Sequence, residues 1–492
     1  MVPASWAQVT LRELRVDRSV GITPSTTPDT RFELYSVPAH PSGMPERVFG
    51  REIGSNKQTV APGTVLLCKI NPRINRVWVV GSHSADMRIA STEWIPFFPI
   101  DGVDPRYLAN FLRREDVRTF LATNVSGVGG SLMRVRPATA ENLTLPLAPL
   151  AEQHRIVAAI EEQLSRVDAG VAALERVKRE LARYRASVLK AACEGRLVPT
   201  EAALARAEGR SYEPASDLLA RILAERRARW EASNAKRAKK YTEPAPPDDS
   251  ALPVVPKGWV WAAMDQMLSE LRNGVSTVPR EESGVPILRI SAVRPLRVDL
   301  SDLRFLAGSD ADFRGHEIAA GDLLFTRYNG STDLVGVCAC APEPSRFLAY
   351  PDKIIRGRVG NLVSSSYLAI AANTGVSRGH IEARTRTTAG QAGVSGSDIK
   401  AMPIPLPPLS EQHRIVAEVE RRVSIADDVG ATVESALARA ARLRQSILKR
   451  AFEGKLVPQD PSDEPASALL ARIRAEREAA SAQKPKRKRA RS

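Results

Sequence analysis

"PLAPLAEQHRIVAAIE" (Pro146–Glu161) and "PLPPLSEQHRIVAEVE" (Pro405–Glu420) are one phrase written twice, 259 residues apart in a chain of 492. At the same offset, without a gap, "ASVLKAACEGRLVP" (Ala186–Pro199) falls on "QSILKRAFEGKLVP" (Gln445–Pro458). Half of the positions from Leu150 to Pro199 match their partners. "EPASDLLARILAER" (Glu213–Arg226) then matches "EPASALLARIRAER" (Glu464–Arg477) after a short deletion. The preceding segments correspond more faintly. Trp6 in "PASWAQVTL" matches Trp259 in "PKGWVWAAM". "GTVLLCKIN" (Gly63–Asn71) matches "GDLLFTRYN" (Gly321–Asn329), which pairs Lys69 with Arg327 and Asn71 with Asn329. The chain is therefore a tandem duplication: lobe, helix, lobe, helix.

The repeated part is helical. From Leu150 no proline occurs until Pro199, and good helix formers dominate. Ile160, Val167, Leu174, Leu181 and Val188 recur every seventh residue, with Leu164 and Val171 between them, until Lys178 and Arg185 interrupt that second row. The other copy gives Val419, Ala426, Val433, Ala440 and Ile447. A seven-residue apolar repeat is a coiled-coil seam. A helix of about 44 residues spans about 65 Å and cannot bury its seam alone. The simplest partner is the other copy, packed antiparallel with pseudo-two-fold symmetry. Prolines hold the preceding segment out of the helix. Ser410 reads as its N-cap, with Glu411 in the first turn, where the helix dipole favours negative charge. Ala151 lacks that cap. His154 and His413 lie in first turns with no nucleophile nearby in sequence, which favours a structural or contact role over catalysis.

The lobes contain short β-rich runs, "TVLLCKI", "RVWVVG", "VPILRISAV" and "DLLFTRY", separated by Gly, Pro, Ser and Asn. The expected class is α+β: two α/β lobes with strongly bent sheets, separated by two long paired helices. The expected divisions are a first lobe over 1–145, a helical spacer over 146–235, a charged, proline-rich linker over 236–255, a second lobe over 256–404, a second spacer over 405–480, and a disordered basic tail over 481–492.

The formal charge of +15 and pI of about 9.9 point to a polyanionic partner. The tail supplies part of that charge through Lys484, Lys486, Arg487, Lys488, Arg489 and Arg491. No signal-peptide h-region and no apolar run long enough for a membrane span is present, so a cytoplasmic protein is expected. Cys338 and Cys340 form a C-x-C that no second cysteine pair or histidine cluster completes, so no metal is expected. "EGKLV" and "EGRLV" lack the glycine spacing of a phosphate-binding loop. "NPRI" (Asn71–Ile74) lacks the second proline and aromatic of an amino-methyltransferase motif, and no glycine-rich S-adenosylmethionine loop is evident. "PDTRFELY" (Pro28–Tyr35) has Tyr35 where a PD…ExK nuclease core carries lysine. The expectation is a chain without its own active site.

The pattern suits a DNA reader. Candidate contacts in the first lobe are Lys57, Gln58, Lys69, Asn71, Arg73, Arg76, Ser126 and Arg134, the last two within "SGVGGSLMRVR" (Ser126–Arg136). Those in the second are Arg327, Asn329, Ser331, Arg356, Arg358, Arg384, Arg386 and Gln391. Arg and Lys suit guanine O6 and N7, Asn and Gln suit adenine N6 and N7, and the cations also bind phosphate without reading sequence. Dimeric readers set two modules on half-sites about one helical turn apart, and a duplicated chain can supply both. Because the lobes differ, the expected site is bipartite and asymmetric, with the helices as a ruler across an unread spacer.

Taken together, "PLAPLAEQHRIV" and "PLPPLSEQHRIV", the "EGRLVP"/"EGKLVP" helix ends, "VPILRIS", "GDLLFTRYNGSTDLVG" and "SGVGGSLMRV" make the chain resemble the specificity subunit of a type I restriction-modification system over nearly its whole length. The resemblance implies two target-recognition domains, two helical spacers and no intrinsic catalysis. It implies double-stranded DNA, two methyltransferase subunits and restriction subunits as partners, no membrane, and S-adenosylmethionine, ATP and Mg on those partners rather than here. It implies that the helical repeats dock the methyltransferase subunits, with Glu152, Gln153, Arg155, Glu411, Gln412 and Arg414 as candidates. The basic tail after Arg477 departs from the family pattern. The competing readings are a solitary DNA methyltransferase or nuclease, and a coiled-coil scaffold with only non-specific DNA affinity.

Overall fold

In the computed structural model the two repeats are helices of 44 residues each, Leu150–Cys193 and Leu409–Phe452. The structure describes residues 2–14, 19–126, 133–234, 240–280, 282–388 and 391–482, with backbone alone for Ser126, Asn234, Thr388 and part of the last helix. Most of the glycine-rich segment (127–132) and of the basic tail (483–492) thus lies outside the described residues.

Residues 1–176 with 433–492 form one unit, and residues 177–432 form the other. The division cuts both long helices, so each unit owns the start of one and the end of the other. In the first, Ile156, Val157 and Ile160 share a core with Ile447, Leu448, Ala451 and Phe452. In the second, Val188 and Ala192 share a core with Ile415 and Val419. Start packed against end is the antiparallel arrangement expected for the two repeats. Each unit adds an ion pair between its helices, Asp168–Arg444 in the first and Arg185–Asp427, at 2.6 Å, in the second. These four residues are equivalent by the repeat offset, and Arg185, which interrupts the apolar row, also donates to Ala426 O at 3.0 Å.

Each core is completed by a later helix. Leu469, Leu470 and Ile473 of Ala466–Ala482 pack into the first lobe, and Ala466 N donates to Ser5 O at 2.9 Å. Ala215, Leu218 and Ile222 of Ala215–Asn234 pack into the second, and Ala215 N donates to Gly258 O at 2.8 Å. The glycine of each "EGRLVP"/"EGKLVP" end makes this turn possible. Gly195 and Gly454 are left-handed, at φ +65° and +70°. A Cβ there would stand 2.5 Å from Pro256 Cγ and 2.3 Å from Pro3 Cγ, respectively.

The lobes divide their sheet into short ladders. The first has a five-stranded sheet, in which Arg31–Tyr35 runs parallel to Met87–Ser91, and a three-stranded one formed by Val77–Val79, Val65–Cys68 and Trp94–Phe97. The second has a four-stranded antiparallel sheet of Leu268–Asn273, Ile354–Val359, Leu323–Thr326 and Cys338–Cys340. Each lobe opens with a strand paired to the one that leads into its long helix: Ala7–Thr10 to Thr144–Leu147, and Val260–Ala263 to Pro403–Leu406.

At that junction lies a buried polar latch. Trp6 Nε1 donates to Glu152 Oε2 at 2.9 Å, and Trp259 Nε1 donates to Glu411 Oε1 at 3.0 Å. The second oxygen of Glu411 accepts from Glu201 N at 2.8 Å, and that of Glu152 accepts from Gln459 Nε2 at 2.5 Å. Gln153 donates to Ala148 O and accepts from Asp104 N, just as Gln412 donates to Pro407 O and accepts from Ser364 N. The second long helix starts at Leu409, so Ser410 lies inside its first turn and is not its N-cap.

Burial lifts the Glu411 carboxyl above its usual range, against the pull of the Glu201 amide and the Trp259 indole. A raised carboxyl stabilises the fold most when protonated, and that contribution fades as pH rises through the folded value. Relative to Glu411→Gln, the wild type is therefore expected to lose stability as pH climbs from about 4.5, the unfolded value, and then to level off. Denaturant titrations over a pH series check this, and a wild-type advantage that grows with pH would contradict it.

Candidate nucleic-acid interface

Each lobe carries a small sheet built on the same frame. In the second, Tyr328–Asn329 pairs with Gln391–Gly393, which pairs with Arg386–Thr388. Ala392 and Val394 are buried, so by strand alternation Gln391 and Gly393 occupy the outer face, with Tyr328 and Arg386 across from Gly393. These residues line a concavity together with Arg327 and Arg384. The Arg327 guanidinium lies over the Tyr328 ring, 4.8 Å from its centroid. Burial opposes ionisation of Asp398 in the wall, but its hydrogen bonds to Ser395 and the nearby Arg386 and Arg384 hold its carboxyl below the usual range. The structure thus brings together Arg327, Arg384, Arg386 and Gln391, four of the residues singled out in sequence. Asn329 follows on the same strand and accepts from Ser331 N at 3.0 Å.

In the first lobe, Val125–Ser126 pairs with Arg134–Val135, and Ile70 bridges Arg134. Val135 N donates to Lys69 O at 3.0 Å, matching Val394 N to Arg327 O at 3.0 Å. The Lys69/Arg327 and Asn71/Asn329 pairings therefore mark one place in two copies. Asn71 turns left-handed, at φ 47°, into the short turn Pro72–Ile74, which exposes Arg73. Arg76 is half-buried, and the Ser126 side chain lies outside the described residues.

Three other candidates are buried and a fourth, Arg358, is partly exposed but bound within its lobe, which corrects the expectation of free contacts. Lys57 is buried, with Nζ donating to Ser55 O and Oγ at 2.9 and 2.6 Å. Gln58 is buried, donating to Ser91 O and Trp94 O, each at 2.9 Å. Arg356 is 1% exposed and is held by Glu270 at 2.8 Å and by Glu317 O at 2.5 Å. Arg358 is tied to Asp322 at 2.8 Å. Gln58, Arg356 and Arg358 tie separate segments together, and Lys57 closes a local turn onto Ser55. Among the docking candidates, Glu152, Gln153, Glu411 and Gln412 are at most 1% exposed and form the latch, so they offer no surface to a partner. Arg155 and Arg414 are partly exposed but committed to Asp463 and Glu201, each at 2.7 Å. His154 and His413 are exposed, with His154 3.8 Å from Asp104. Sequence reasoning missed the roles of Trp6, Trp259, Glu93 and Tyr328; the recurrence of tryptophan and of Glu152 and Glu411 at matching places in both copies was the available signal.

Among the described residues, no group of three or more His, Cys, Asp or Glu is placed to hold a metal, and no helix is long and apolar enough to cross a membrane.

Arg356→Ala is expected to cost about 3–5 kcal/mol, because it empties a buried site and leaves the buried Asp322 carboxylate and the Glu317 carbonyl short of a partner. Arg384→Ala and Arg386→Ala, on the exposed wall, are expected to stay within about 0.5 kcal/mol of wild type. Denaturant unfolding separates the two classes, and equal losses would contradict the division.

No family model matches the chain. It is 34% identical over 392 residues to the type I restriction enzyme EcoKI specificity subunit of Escherichia coli (strain K12), covering 78% of this chain and 74% of that one. It is 26% identical over 398 residues to the StySPI specificity subunit of Salmonella potsdam, covering 79% and 75%. Its fold matches a chain from the solved structure described as the "structural basis underlying complex assembly and conformational transition of the type I R-M system", with a TM-score of 0.61 and 20% identity over 92% of this chain and 99% of that one. On the extent and identity of these matches, the chain belongs to the family of type I restriction enzyme specificity subunits.

Proposed function

We propose that this chain is the DNA-reading subunit of a type I restriction-modification complex, each lobe reading one half of a bipartite, asymmetric site. The observation that carries this reading is the duplicated small sheet. One backbone frame presents Lys69, Asn71 and Arg134 in the first lobe and Arg327, Asn329, Arg386 and Gln391 in the second. Equivalent frames bearing unlike side chains are what two unlike half-sites demand. Arg, Lys, Asn and Gln on exposed strands and turns match the donor and acceptor patterns of base edges, and the surrounding cations suit phosphate.

In this reading the chain works in the cytoplasm, carries no catalytic group and holds no cofactor. Methyltransferase subunits, two to a complex, supply S-adenosylmethionine chemistry on adenine. Restriction subunits supply ATP- and Mg-dependent cleavage. Family membership and the duplicated helices support these partners. The exposed faces of the long helices, rather than the latch residues, are the surface that remains for docking.

Replacing residues 1–145 with the corresponding lobe of another specificity subunit is expected to change one half of the modified motif and leave the other half as it was. Mapping methylated adenines in cells that co-express the methyltransferase subunits reads this out. A change in both halves would contradict one lobe, one half-site.

A further inference from the structure

The two small sheets differ at one row of facing positions. In the first lobe the row is Ile70, Arg134 and Ser126; in the second it is Tyr328, Gly393 and Arg386. The middle place, arginine in one copy, is glycine in the other for a steric reason. A Cβ on Gly393 would stand 2.3 Å from Tyr328 Cδ1 and 2.6 Å from its Cε1. The tyrosine ring fills the space that Ile70 leaves to Arg134.

A second exchange lies beside the first. Lys69 N donates to Glu93 O at 2.9 Å, and Arg327 N donates to Lys353 O at 2.7 Å, so Glu93 and Lys353 hold one place in the frame with opposite charge. Glu93 grips Arg134 with both oxygens: Nε at 3.2 Å and Nη2 at 3.1 Å. The two side chains are 49% and 29% exposed, and an exposed pair of this kind adds little to stability. What it does fix is direction. Val135 is buried, which turns Arg134 to the outer face, and the carboxylate takes the side edge of the guanidinium, formed by Nε and Nη2. Guanine O6 and N7 are met by two parallel N–H groups of a guanidinium, and the end edge, Nη1 and Nη2, supplies such a pair. A guanidinium locked in rotation by a carboxylate has less freedom to lose on meeting a base.

Resting on the reading above, we propose that Arg134 is a guanine-reading residue of the first lobe and Glu93 its positioning residue, while the equivalent place in the second lobe holds no reader and the arginine of that row is Arg386. The two copies thus differ in which strand carries the reader as well as in its identity.

The test is a map of methylated adenines made with the full chain and its methyltransferase subunits. Arg134→Ala is expected to relax preference for guanine at one position of one half-motif by about ten- to a hundredfold and to leave the other half unchanged. Glu93→Gln is expected to relax the same position several-fold, and Glu93→Asp to restore it. Arg386→Ala is expected to act only on the other half. An unchanged motif in Arg134→Ala would overturn the proposal while leaving the two-lobe reading in place. So would a uniform loss of modification across all sequences, the mark of a phosphate contact. A wild-type complex that modifies DNA without a motif would overturn the two-lobe reading itself, and the proposal with it.

Discussion

A buried carboxylate bonded to an indole N–H joins each reading lobe to its long helix, and the rest of each unit is arranged around that bond. Glu152 and Glu411 sit in the first turns of the two helices at no more than 1% exposure, where an unbonded charge would be costly. Each is satisfied by the tryptophan near the start of its lobe and by one donor from the segment that follows a long helix: Gln459 for Glu152, and the Glu201 amide for Glu411. The neighbouring glutamine ties the same turn to the loops ahead of it. Lobe, helix start and returning segment therefore meet at one polar point in each unit. Removing the tryptophan or the glutamate would leave a buried polar group without its partner, and both are kept in both copies, whereas the third donor is a glutamine side chain in one unit and a backbone amide in the other.

Around this constraint, duplication and divergence are divided between backbone and side chain. The tryptophan–glutamate bond of the latch, the antiparallel ion pairs Asp168–Arg444 and Arg185–Asp427, and the glycine turns at Gly195 and Gly454 recur in both units. The small sheets keep their backbone bonds but exchange Arg134 for Gly393, Ile70 for Tyr328 and Glu93 for Lys353. A rigid common frame with a variable outer row lets one protein present two different chemical patterns without refolding. That division of labour suits a specificity subunit, in which the target changes and the assembly does not.

Much of this was legible in the sequence because it repeats. Two 44-residue helices, their seam and their pairing follow from seven-residue periodicity and from the absence of proline. The equivalence of Lys69 with Arg327 follows from alignment of the copies. The function of single polar residues was less legible, because a lysine, glutamine or arginine is spelled alike whether it faces water or a buried partner. Arg356 read as a DNA contact, yet Glu270 and Glu317, 86 and 39 residues away in sequence, enclose it. Gln58 is claimed by carbonyls of Ser91 and Trp94, and Glu411 and Gln412 turn inward for the same kind of reason. Ser410 misled because a cap was inferred two residues late. These are long-range facts that local pattern does not carry.

Everything above turns on two lobes of one common frame reading two different half-sites. The methylation map of the wild-type complex tests it most directly. The expected result is a split, asymmetric motif with an unread spacer and one modified adenine in each half. A contiguous palindrome, or modification without sequence preference, would contradict it.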